Sequence, residues 1–185
     1  MSDFWGLSDG DSVKASGEFE LDGGSMVPIP DGTQVQAAMD EAKWDNKEGC
    51  EFISLRWTVL KPEAYKNRKV FQKLWVLGNN PNQKDPTKAK AQGDKAKRML
   101  AAIDTNAGGK LMENNGKPTD NDLQSALLNK QMVVKLAVWE MDGTMGEKMS
   151  GNWVQAVAPK GSGVSDVKPQ VSKQPSSVDT DDIPF

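Results

Sequence analysis

Between Lys69 and Trp75, the residues Lys69, Phe71, Lys73 and Trp75 fall at every second position, separated by Val70, Gln72 and Leu74. On a β-strand this spacing puts two ammonium groups and two aromatic rings on one face and the intervening residues on the other. Cations interleaved with rings suit a single-stranded nucleic acid: the cations follow the phosphates, and each ring offers a platform on which a base stacks, for ~1–3 kcal/mol per base with little regard to sequence. Arg68 adds charge at the head of the same strand. The same pattern also fits a core placement of Phe71 and Trp75 beneath a helix, with the lysine stems running outward, and the sequence leaves both open. Phe52 and Arg56 on the preceding strand extend the first reading, as do Lys135 and Trp139 later in the chain, with core or solvated face as the alternative for each. Lys84 and Lys88, then Lys90, Lys95, Lys97 and Arg98, form either a phosphate-contacting rim or a solvated helical face.

Catalysis has little to work with. The chain has no histidine and one cysteine, Cys50, which removes Ser-His-Asp and Cys-His nucleophilic systems, thiolate metal cages and intramolecular disulfides. No phosphate-binding glycine loop and no carboxylate set with metal-ligand spacing is present. The expectation is a binding protein without catalytic residues, metal or cofactor. The formal net charge of -3 conceals a segregation: residues 1–55 hold 3 basic and 12 acidic side chains, and residues 56–98 hold 12 basic and 3 acidic. A polyanion responds to the local field rather than to the total. No apolar run reaches the ~20 residues of a membrane span, and the N-terminus lacks a signal-peptide layout, so the expected location is cytoplasmic.

The 185 residues suggest one domain with tails. Residues 1–27, rich in Asp, Gly and Ser, read as an acidic arm. Within a core domain at 28–159, Val35, Ala37 and Met39 begin a strand ending near Trp44, and Asp45 to Gly49 reads as a hairpin loop. Cys50 to Leu60 then alternates, with Ile53, Leu55, Trp57 and Val59 on one face and Phe52, Ser54, Arg56 and Thr58 on the other. Arg68 to Leu77 is a third strand. Helices are expected at Thr87–Asp104 and Asp120–Asn129, the second opened by Thr119 and Asp122 in a capping-box spacing. Strands at Met132–Met141 and Asn152–Ala158 complete the domain. Three strands, a helical connection and two more strands is the order of the OB-fold, a partly open five-stranded Greek-key barrel that binds oligonucleotides; an SH3-like barrel or another small α+β sheet fits the order as well.

From Lys160 the composition changes to Gly, Ser, Pro, Gln, Val and Lys, predicting an unfolded linker over 160–185. It ends in Asp179-Thr-Asp181-Asp182-Ile183-Pro184-Phe185. This terminus resembles the C-terminal tip of bacterial single-stranded DNA-binding proteins. The resemblance implies that Phe185 anchors in an apolar pocket of host replication and repair enzymes, that Ile183 and Pro184 flank it, and that Asp179, Asp181 and Asp182 steer the approach. Thr180 interrupts the acidic run, lowering its charge density. The body, especially Gly49 to Leu60 and Asn67 to Trp75, resembles a family of phage-encoded single-stranded DNA-binding proteins placed with recombination functions. Together these imply a sequence-independent binder of single-stranded DNA, acting in phage replication, recombination or repair in the host bacterial cytoplasm. The alternative is a recombination mediator or adaptor whose main partner is a protein.

Overall fold

A computed structural model of the chain describes residues 27–162. The first two strands, β1 (Gln34–Lys47) and β2 (Cys50–Lys61), form a long antiparallel hairpin. Its turn is made by Glu48 and Gly49, both with positive φ, the combination that matches the twist of a tight hairpin. After a short 3₁₀ turn at Glu63–Tyr65 comes β3 (Lys69–Leu74). Three helices follow, α1 (Pro86–Ala107), α2 (Lys110–Glu113) and α3 (Asp120–Leu127), and then β4 (Gln131–Asp142) and β5 (Lys148–Pro159). The strands make one antiparallel sheet in the order β3-β2-β1-β4-β5.

Alternation decides which face is buried. Ile53, Leu55, Trp57 and Val59 point inward, as expected, and join Val35, Ala37, Met39, Val70, Leu74, Met132, Val134 and Leu136 in one core. The helices close that core with Ile103 and Ala107 of α1, Leu111 of α2, and Leu123 and Leu127 of α3. One polar pair lies inside it: the Trp57 indole donates to Gln72 Oε1 at 3.1 Å, which satisfies a donor that would otherwise be costly to bury.

Helix starts follow their caps. Asp85 accepts from the backbone N–H of Thr87 and Lys88, and Pro86 takes the first helical position, where a missing N–H costs nothing. At α3 the Thr119–Asp122 box forms in both directions. Trp44 ties this helix to β1, its indole donating to the Pro118 carbonyl at 2.7 Å and its backbone N–H to Asp120 Oδ1 at 2.7 Å.

The expected five strands form, but as an open sheet and not a closed barrel. The free ends of the ladder are β3 and β5; they come into contact without pairing. The reason is local. With 6 residues, β3 is half as long as β5 at 12, and beyond Leu74 the chain turns under α1 through Gly78, at φ 65°. There backbone meets backbone: a Cβ on Gly93 of α1 would lie 2.8 Å from the Gly78 Cα. On the far side, Ile29 is fully buried and its N–H and C=O are both bonded by the Asn152 side chain, at 2.8 and 2.7 Å. In the β4–β5 hairpin the Trp139 ring lies over its cross-strand neighbour Gly151, so close that a Cβ there would sit 2.7 Å from the indole.

Candidate nucleic-acid interface

Of the predicted binding residues, the outward face of β2 and β3 gathers Arg56, Lys69, Phe71 and Lys73. Register places Arg56 opposite Phe71, Ser54 opposite Lys73 and Thr58 opposite Lys69. Phe71 is 63% exposed at the centre of this face, so it belongs to the surface reading of the Lys-Phe-Lys pattern and not to the core. Lys69 and Lys73 stand on either side of it along the strand.

Two rings expected beside Phe71 are covered instead. Phe52 is 3% exposed and Trp75 is 1% exposed, and they pack against each other with centroids 4.6 Å apart. The alternation of β3 stops at Leu74, so Trp75 is the first residue of the turn beneath α1; Trp75 and Val76 are both buried. In this conformation neither ring offers a free face to a base. They serve the surface indirectly, because the Lys73 ammonium lies over the Phe52 ring at 5.2 Å, a cation–π contact that fixes where that charge stands.

Arg56 and Lys69 are already engaged. Arg56 Nε donates to Asp40 Oδ2 at 2.9 Å, its NH1 reaches Glu41 Oε2 at 3.1 Å, and Lys69 Nζ donates to the same Asp40 Oδ2 at 2.8 Å. Lys69 also donates to the Thr58 hydroxyl, and Lys43 pairs with Glu41 at 2.9 Å. A bulge in β1 creates this cluster. Met39 pairs with Trp57 and Glu41 with Arg56, leaving Asp40 as the extra residue, so two consecutive carboxylates are turned toward one guanidinium. The hydrogen bond from Lys69, then that from Arg56, holds the Asp40 carboxyl below the usual carboxylate range. Hydrogen bonding to Glu41 raises Lys43.

The other predicted residues are spread around this face. Arg68 is half-buried just before β3, Lys84 is exposed in the loop before α1, and Lys88 is exposed in the first turn of α1. Lys95 of α1 and Lys73 line a common apolar pocket of about 60 Å³ with Trp75, Met99 and Trp153. Lys135 and Trp139 lie on β4, across β1 from the β2–β3 face. Asp179, Asp181, Asp182, Ile183, Pro184 and Phe185 fall outside the described residues, as does the acidic arm before Val27.

Asp40, Glu41 and Lys43 were missing from the sequence-derived site. Their signal is a change of parity in β1: Val35, Ala37 and Met39 are buried at intervals of two, and the next buried residue is Ala42. An odd step inside a strand marks a bulge.

No protein-family model matches the chain, and no curated protein matches it. Among the described residues no helix is long and apolar enough to cross a membrane.

Proposed function

We propose that this protein binds single-stranded DNA without base specificity on the outward face of β2 and β3, and that its sheet is an OB-type barrel in which β3 and β5 are the neighbouring ends. The observation that carries the reading is Phe71: a ring 63% exposed, opposite Arg56 and between Lys69 and Lys73. A lone exposed apolar residue is ordinary, but one set among three cations on a sheet face has the two elements that a flexible polyanion with stacking bases requires. The strand order and the contact between β3 and β5 support the barrel.

On this reading the protein covers transient single strands in the cytoplasm of a bacterial host during phage replication, recombination or repair. Its C-terminal Asp179–Phe185 recruits host enzymes, with Phe185 as the anchor. Anisotropy of labelled oligo-dT, titrated across salt concentrations, tests the binding; saturable binding that weakens with salt supports it, and absence of binding at low salt overturns it. Deleting Ile183–Phe185 should leave DNA affinity near wild type and abolish capture of purified host repair enzymes. Capture by both proteins would reject the docking role.

A further inference from the structure

Two of the three cations on the proposed DNA face, Arg56 and Lys69, carry anions supplied by their own chain. A single oxygen, Asp40 Oδ2, accepts from Arg56 of β2 and Lys69 of β3 at 2.9 and 2.8 Å, which is the bridging position a phosphodiester oxygen would take between the same two strands. Building on the reading above, we propose that Asp40 is an internal phosphate mimic: it occupies this position in the free protein and must be displaced before the strand's phosphates reach Arg56 and Lys69.

Three features fit that role. The side chains of Arg56, Asp40 and Lys69 are 36%, 32% and 45% exposed, so an incoming phosphate can approach them from solvent. Both donors hold the Asp40 carboxyl below its ordinary range, so it stays ionised under physiological conditions, and a competing anion or screening salt releases the cations where mild acid does not. Exposed ion pairs are also weak, which makes the carboxylate a threshold rather than a block. A single phosphate gains little by displacing it. A strand already seated on Phe71 and Lys73 delivers its next phosphate at high local concentration and succeeds. Asp40 therefore discriminates between extended strands and small anions.

The test is Asp40→Asn in the full-length protein, with Asp40→Ser as a second variant should Asn disturb the bulge. Glu113→Gln on α2 is the control for net charge. The Asp40 variants should bind oligo-dT about 3- to 10-fold more tightly at low salt, and the magnitude of the salt slope should rise by roughly 0.7, the value for one phosphate on a single strand. Inorganic phosphate and short oligonucleotides should compete more effectively against them than against wild type. Glu113→Gln should change none of these. Unchanged affinity in folded Asp40 variants overturns the mimic, and weaker affinity overturns it in favour of a carboxylate that merely positions the cations. If Phe71→Ala weakens binding while Asp40→Asn fails to tighten it, the DNA-binding face stands and only the mimic falls. If wild type and Asp40→Asn both fail to bind at low salt, the face itself falls.

Discussion

The rings of Phe52 and Trp75 meet at 4.6 Å between centroids and 45° between planes, joining the outward side of β2 to the turn that follows β3. This contact seals the point where the sheet face passes under α1, and Lys73 rests on its outer side. Trp75→Ala should therefore act mainly on stability. Removing a buried Trp typically costs about 3–5 kcal/mol, and thermal melts followed by circular dichroism should show a large fall in Tm. An unchanged Tm with weakened DNA binding would mean that Trp75 swings out to stack on a base.

Phe71→Ala has the opposite expected profile. With 63% of the residue exposed, little packing is lost and the melt should be nearly superimposable on that of wild type. Loss of one base-stacking platform is worth ~1–3 kcal/mol, so affinity for oligo-dT should fall roughly 5- to 150-fold. Retained affinity would take Phe71 out of the site.

Lys73→Glu should weaken binding to oligonucleotides of every base composition and reduce the magnitude of the salt slope by roughly 0.7 for the lost phosphate contact. Parallel titrations of oligo-dT and oligo-dA at several salt concentrations measure both effects. A loss confined to one base composition would point to base readout.

Gly93→Ala exchanges a poor helix former for the best one, a gain of about 1 kcal/mol in an open helix. Here the new methyl would stand 2.8 Å from the Gly78 Cα and N, and backbone cannot step aside as a side-chain tip can. Overpacking of this kind costs about 1–3 kcal/mol, so urea denaturation should show a net loss. A stabilised variant would mean that α1 and the Gly78 turn slide apart without penalty.

Asp122 gives the fold a defined acid dependence. The Thr119 backbone N–H, then its hydroxyl, lowers the Asp122 pKa. A depressed carboxylate contributes stability above its unfolded value, ~3.9 for Asp, and loses it as pH falls through the lower folded value. Wild type should therefore be more stable than Asp122→Asn near neutral pH, with the gap closing below about pH 4. A gap independent of pH would assign the effect to something other than the charge.

Much of the fold was legible because its signals are local. The alternation from Ile53 to Val59 follows the pleat of β2, and the Thr119–Asp122 spacing starts α3 at the expected residue. The missed features depend on partners distant in sequence. Trp75 continues the period-2 pattern of its strand by residue type, yet β3 ends at Leu74 because the chain must turn beneath Gly93, which lies in α1, further along the sequence. Asp40 looks like an ordinary solvated carboxylate until the β1 bulge brings it to Arg56 and Lys69. Of the site, the Lys69-Phe71-Lys73 run was readable from the chain alone, whereas its counter-charges required the cross-strand register.

The indole of Trp139 over Gly151 binds two positions into a single unit of inheritance. Since a Cβ at 151 would lie 2.7 Å from the indole, a side chain there requires the ring to shift or position 139 to become smaller, and a lineage that shrinks Trp139 first frees position 151 to vary. Descendants of this chain should keep Gly151 wherever Trp139 is kept, and vary at 151 chiefly where position 139 is already small. The intermediate with side chains at both, Gly151→Ala in the presence of Trp139, should be the combination that diversification passes over.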